Sequence, residues 1–357
     1  MKTADFHNEP FDEGTLTKLD IFELYAKEWL PVFLSRPTPI CKSLHVFDFF
    51  AGPGTDSAAT WGSPLRLLRQ INNYRDQPGW DHVSKHVHLY DGDAQKVAKL
   101  KNNISSHKLQ LDGIRLDVRA LKFQRALEAN SNIFADPNAA KLAFIDQFGV
   151  SEVGDAVFRT LAGSPRCDFL FFISSSTLHR FADHPAIKQK IERPDDSYHV
   201  HRAVCDYYRG LLPPNSEYFV APFSIKKGAN IYGLVFGSAH PLGIDKFLQV
   251  TWRKDATSGE ANFDIHRDNL VRNQKYLGFK KPTKTDAFEV ELETAIRSGA
   301  VTSELDVMRI CYAHGVKRQH SKDVLAKLKK DGVIKLSFRT PDVANWRSPR
   351  PIELLRR

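Results

Sequence analysis

Strand-like apolar runs alternating with amphipathic helices, a late pair of strands joined by a short loop, and a helix-rich basic end predict two units. These are a Rossmann-like α/β domain and, after it, a small winged helix-turn-helix. The chain has 357 residues, 42% of them hydrophobic, enough for one large domain and one small one.

"LTKLDIFELYAKEWLPVFL" places Leu16, Leu19, Phe22, Tyr25, Ala26, Trp29 and Leu30 at helical spacing, and Pro31 leaves the end of that helix open. This segment, within residues 1–40, is expected to pack on a core domain spanning 41–265. "SLHVFDFF" is too short for a helix and is bounded by "AGPG", so it reads as a buried strand. "HVHLYDGDA" is a second strand ending in acids, followed by the helical "AQKVAKLKNNI" with Asp93 as its N-cap. "GIRLDV", "KLAFIDQFG" and "RCDFLFFISSS" are the third to fifth strands, and "SEVGDAVFRTLAG" is a helix before the last of them. "SEYFVAPFSI" and "NIYGLVFGS" form a hairpin across "KKGA", with Gly228 in the loop. Such a hairpin puts one antiparallel strand into a mainly parallel seven-stranded sheet. That combination belongs to the class I methyltransferase fold and is missing from ordinary dinucleotide-binding sheets. "HPLG" at His240 reads as a strand end turning into a helix.

Beyond a linker at 266–284, "DAFEVELETAIRSG", "SELDVMRICYAHG" and "HSKDVLAKLKKDG" are three helices, the last with Ser321 as N-cap, and "VIKLSF" is a strand. Helix, helix, turn, helix and strand over 285–340 suggest the winged helix, with a basic tail at 341–357. Val324, Leu325 and Leu328 would face its core, leaving Lys322, Lys327, Lys329 and Lys330 outward. Val316–Arg357 holds 12 basic and 4 acidic residues, a net 12 − 4 = +8 of the total +9. A local basic excess is the electrostatic footprint of nucleic acid. Lys317, Arg318, Lys322, Lys329, Lys330 and Arg350 are therefore candidates for DNA or RNA phosphates. A solubilising tail, or a cap that binds a protein, stays open as the alternative.

Composition excludes several classes. No apolar run approaches the ~20 residues needed to span a bilayer, so no membrane partner is expected. The polar, acidic start does not read as a signal peptide. Cys41, Cys167, Cys205 and Cys311 lie far apart with no Cys-x-x-Cys pair, which favours reduced, buried thiols. His199, His201 and Cys205 do not share one helical face, and no metal is expected. The expectation is a cytoplasmic protein.

The chemistry centres on "FDFFAGPG". Asp48 ends the first strand, Phe50 and Ala51 lead into the turn, and Gly52 and Gly54 let backbone approach a ligand. Ser57 stands where a nicotinamide site would place its third glycine, and Asp91 comes 91 − 52 = 39 residues later, where about 20 is usual. No Lys-Ser/Thr follows for a Walker loop. An acid ahead of the turn suits the ammonium end of an amino-acid-like cofactor, and S-adenosylmethionine has one. Asp91, ending the second strand, can accept the ribose hydroxyls. Asp117, read as the end of the third, suits the adenine amino group, and Asp146 ends the fourth, beside the place a methyl group would leave.

These blocks resemble the three-Cys-motif partner proteins, which look like class I S-adenosylmethionine-dependent methyltransferases. The resemblance is carried by "TKLDIFELYAKEWLPVFLS", "FDFFAGPG", "GSPL" at Gly62–Leu65, "FIDQFG" and "YGLVFGSAHPLGIDKFLQVTW". It implies a partner protein that carries the cysteine motif, and an attached winged helix. The family has Asp-Pro-Phe-Gly after the fourth strand, whereas here Gln147 replaces the proline in Asp146-Gln147-Phe148-Gly149. By that resemblance Asp146 orients the acceptor or takes its proton, Phe148 stacks on a planar acceptor, and Gln147 can hydrogen-bond to it. Two readings stay open: a methyltransferase acting on nucleic acid or a partner-bound substrate, and a catalytically inactive Rossmann-like adaptor that binds a partner protein or nucleic acid through its winged helix.

Overall fold

The computed structural model describes residues 9–146, 153–173, 200–214, 216–227, 230–256 and 284–355. Its sheet has seven strands: β1 (Ser43–Asp48), β2 (Ser84–Asp91), β3 (Ile114–Ala120), β4 (Ala139–Ile145), β5 (Cys167–Ile173), β6 (Phe219–Lys227) and β7 (Asn230–Ser238). They lie in the order β3-β2-β1-β4-β5-β7-β6. β7 runs antiparallel to both neighbours, and the other pairings are parallel. This is the strand order of the class I methyltransferase fold, and the predicted hairpin supplies its reversed strand. β6 extends to Lys227, opposite Asn230, so the strands leave only residues 228–229, including Gly228, for the loop. Those two lie outside the described residues.

Alternation along the pleat divides the core into two faces. One face carries Leu44, Val46, Leu89, Leu142 and Phe144 and is covered by α1 (Glu13–Leu34), α2 (Ser63–Asn72), α3 (Ala94–Ser106) and α8 (Pro241–Lys254). The other carries Phe47, Tyr90, Ala143, Phe169 and Phe171, beneath α4 (Phe123–Ala129), α5 (Ser131–Ala135), α6 (Asp155–Gly163) and α7 (Val200–Gly210).

α1 runs through Pro31 to Leu34. A proline inside a helix leaves the carbonyl four residues earlier without its N–H partner. Here that carbonyl, Lys27 O, accepts the Tyr74 hydroxyl at 2.7 Å. Buried Asp168 on β5 accepts the Tyr25 hydroxyl at 2.5 Å and ties the helix to the sheet. Asp93 caps α3 by accepting from the N–H groups of Gln95 and Lys96. His240 caps α8, where the strand was expected to turn into a helix.

The C-terminal unit contains α9 (Lys284–Arg297), α10 (Glu304–Ala313), α11 (Ser321–Lys330) and a hairpin of β8 (Ile334–Leu336) with β9 (Ile352–Leu354). Residues read as a tail thus close a two-stranded sheet, and Trp346 packs edge-on against His240. Ser321 is the first residue of α11 and no N-cap; its hydroxyl donates to Arg318 O. Ser303 caps α10 with a capping box to Asp306. Val324, Leu325 and Leu328 are buried, as expected. The unit sits against β6 and α8: Trp252 donates to Gly315 O at 3.1 Å, and Arg209 reaches Ala313 O. Of the proposed linker at 266–284, residues 266–283 lie outside the described residues. All four cysteines are buried and unpaired with one another.

Candidate functional site

Asp48 pairs in register with Leu89 and Phe144, and Asp91 and Asp146 stand two residues beyond those partners. The pleat therefore sends all three carboxylates to one face, at the C-terminal ends of β1, β2 and β4, where open α/β sheets present their ligand crevice.

Asp48 is fully buried, and its Oδ1 accepts a long bond from Phe50 N at 3.2 Å. Among the described residues its Oδ2 has no hydrogen-bond partner. Burial pushes its carboxyl up to about 7, against the Ser63 hydroxyl and the Phe50 N–H; Asp146 and Asp91 raise it further. An orphaned carboxylate oxygen in the core costs free energy unless a cation or a donor meets it.

The glycine turn is held from several sides. Ala51 N donates to Tyr90 O at 2.9 Å, and Gly62 N donates to Gly54 O at 2.8 Å. Gly52 and Gly54 both have positive φ, 58° and 86°, where a side chain would be strained. A Cβ at Gly54 would also lie 2.7 Å from Leu100 Cδ1. Asn103 donates to Pro53 O at 2.8 Å, clamping α3 to the turn. Asp91 Oδ2 accepts from Gly52 N at 3.0 Å and Oδ1 from Asp93 N at 2.8 Å. One carboxylate thus sets both the turn and the start of α3, and its remaining lone pairs can accept from a ligand's hydroxyls. Phe50 is only partly covered and packs on Phe123 at 5.8 Å.

Asp117 does not join this group. It lies opposite His88, three residues before the end of β3, and so projects to the other face of the sheet. There it accepts from Arg119 and from the Tyr90 hydroxyl, each at 2.6 Å. Ala120, not Asp117, stands level with Asp91.

Asp146 lies at the expected strand end, but with a companion that sequence reading missed. Lys18 of α1 donates to both its oxygens at 2.6 Å, and the same ammonium stands 4.3 Å over the Phe172 ring. The signal was present: Lys18 is in line with Phe22, Tyr25 and Trp29 on the buried stripe of α1, where a lysine needs a partner. Lys18→Met is expected to cost about 2 kcal/mol, because it leaves a mostly buried carboxylate without its cation. A double-mutant cycle with Asp146→Asn, followed by urea melts, checks this; additive losses would mean the two groups do not couple. Gln147 and Phe148 lie outside the described residues.

The basic candidates separate into two sets. Arg318 donates to Asp245 at 3.1 Å and to Pro341 O at 2.6 Å, and Arg350 forks onto buried Glu304. Arg350 thus braces the C-terminal unit internally, while Arg318 ties that unit to α8. Lys317 stands 5.5 Å over the Trp252 ring, and Lys329 reaches Leu336 O at 3.3 Å. Lys329 and Lys330 are exposed and Lys322 half-buried on α11.

The sheet order and the acid-lined crevice define a Rossmann-like protein of class I methyltransferase architecture. No family model matches the chain, and no curated protein matches it. Among solved structures it is similar to a SAM-dependent methyltransferase from Agrobacterium tumefaciens, at 8% identity and a TM-score of 0.37, covering 64% of this chain and 63% of that one. The O-methyltransferase TomG from Streptomyces achromogenes, solved with SAM, overlaps at 10% identity and a TM-score of 0.33, covering 64% of this chain and 90% of that one. A human methyltransferase 10 domain containing protein overlaps at 10% and 0.32, covering 65% and 85%. The chain thus spans less than two thirds of the Agrobacterium protein's length. These overlaps are loose, and the fold assignment rests on the strand order.

Proposed function

We propose that this protein is an S-adenosylmethionine-dependent methyltransferase. The observation that carries this reading is the orphaned, fully buried Asp48 oxygen beside a turn that Asp91 organises. An ammonium group satisfies that oxygen and returns the carboxyl to its charged form. Asp91 accepts the ribose hydroxyls, and the backbone at Gly52 and Gly54 passes close to the cofactor with no side chain between. When bound, the cofactor supplies an electrophilic methyl group. Asp146 then orients the acceptor and takes its proton at a carboxylate oxygen, while α1 shields the crevice.

Calorimetric titration with S-adenosylhomocysteine tests this reading. Micromolar binding is expected for the wild type, with loss of roughly tenfold or more in Asp91→Ala, since the turn and the ribose contact depend on one carboxylate. No binding by the wild type would remove the cofactor assignment.

A specific observation favours the second reading, an inactive adaptor: Lys18 already engages both oxygens of Asp146. Single-turnover assays on candidate acceptors separate the two.

The three helices and hairpin at the C-terminus fit a winged helix whose α11 presents lysines to nucleic acid. Lys322→Gln or Lys330→Gln is expected to reduce the slope of log K against log salt by roughly one. A flat salt response in the wild type would sink this role. Binding of a three-Cys-motif partner protein belongs to the same proposal, through the same unit.

A further inference from the structure

We propose that His45, His86 and His88 form a binding site for a divalent cation of the zinc class. The site lies on the face of the sheet opposite Asp48 and Asp91, so it does not depend on the cofactor reading. His45 on β1 stands level with His86 on β2, and His88 follows two residues later on the same face. One nitrogen from each ring lies within 4.8 Å of the other two. In a tetrahedral zinc site, metal–nitrogen bonds of about 2.0–2.1 Å put ligand nitrogens roughly 3.3 Å apart.

The pair His45 and His88 is nearly there, with Nδ1 and Nε2 only 3.0 Å apart. Their planes differ by 13° at a centroid separation of 5.3 Å, so the rings meet edge to edge. An ion between them would replace the proton they now share. His86 instead stacks on His45 at 4.3 Å and must turn about χ2, a broad torsion for histidine, to aim a nitrogen at the same point. Because His86 is only partly buried, it leaves the cluster open to solvent on one side.

The outer partners are those a metal-bound imidazole needs. His45 Nε2 lies 3.0 Å from Ser43 Oγ, and His88 Nδ1 lies 3.2 Å from the Tyr90 hydroxyl. Tyr90 in turn donates to Asp117, so a carboxylate stands behind the second ligand. Moving the shared proton from the inner edge of His45 to Nε2, toward Ser43, frees Nδ1 with no net release of a proton. Burial lowers His45 to about 3 and His88 to about 4, with Asp117 opposing the shift of His88. Lys141, held by Phe134 O and Asp136 O, and Arg115 beside His86 oppose a cation and weaken the site. An all-imidazole set suits zinc, copper or nickel and not magnesium or calcium.

The test is titration of the full-length apo-protein with Co²⁺ as a spectroscopic probe, followed by Zn²⁺ competition. One equivalent of cobalt should produce the visible bands of a four-coordinate ion, which zinc then displaces. His88→Gln and His86→Ala should each weaken binding roughly tenfold or more, and Tyr90→Phe should weaken it less. His86 is half-exposed, so His86→Ala is expected to keep the fold, checked by circular dichroism. Two outcomes would overturn the proposal. The wild type could show no band at one equivalent. Alternatively the band could persist unchanged in His86→Ala, which would assign it to histidines elsewhere and leave these three as a hydrogen-bonded strut.

Discussion

Asp48→Asn is expected to raise the thermal stability of the ligand-free protein at pH 8 while abolishing cofactor binding. In the wild type the carboxyl sits at about 7 against an ordinary 3.8, so the folded state resists its ionisation. The penalty is absent below about pH 4, grows as pH rises, and is complete above about 7. A carboxyl moved that far corresponds to roughly 4 kcal/mol of disfavoured charge. The net gain should be smaller, about 2 kcal/mol, because the asparagine amide is also buried with few partners. Melts at pH 8 and pH 4 read this directly: the variant leads at the higher pH, and the gap closes at the lower. Titration with S-adenosylhomocysteine gives the other half. A variant that is more stable and still binds with wild-type affinity would make Asp48 a structural acid only.

Arg350→Ala should cost the C-terminal unit about 3 kcal/mol. Glu304 is fully buried and receives Arg350 Nη2 at 2.7 Å and Nε at 3.0 Å, with the backbone N–H groups of Asp342 and Arg350 completing its set. Burial alone would raise the carboxyl, but these donors hold it below its ordinary 4.5. The pair therefore contributes fully above about pH 4.5, and its contribution is lost as pH falls through the lowered value. Truncating the arginine leaves a charge in the core with only backbone donors. Arg350→Lys should recover part of the loss, since a point-like ammonium cannot fork onto both oxygens. Denaturant melts at pH 7 and pH 3.5 measure both effects. An unchanged midpoint together with weaker nucleic-acid binding would restore Arg350 to the phosphate-binding set.

Much of this was legible in advance because it depends on neighbours in the chain. The apolar runs of β1, β4 and β5, the Asp93 cap, the glycine turn and the three C-terminal helices all declare themselves within a dozen residues. Asp117 misled because its side depends on which residue of β2 stands opposite: one residue of register moves a side chain to the other face. Pro31 left the helix end open because the hydroxyl that takes the freed carbonyl comes from Tyr74. Lys18 and Asp146 are 128 residues apart. Arg350 looked like a phosphate ligand because Glu304 lies 46 residues away.

Local pattern therefore settled the seven strands of the large sheet, several of the helices, the class of fold, and the place of the glycine turn, since periodicity and turn chemistry act over a few residues. Only the folded chain decided which acids share the crevice, which cations are already matched, and that three histidines on two strands meet. Those outcomes depend on register and burial, and a charge buried beside the wrong neighbour costs several kcal/mol.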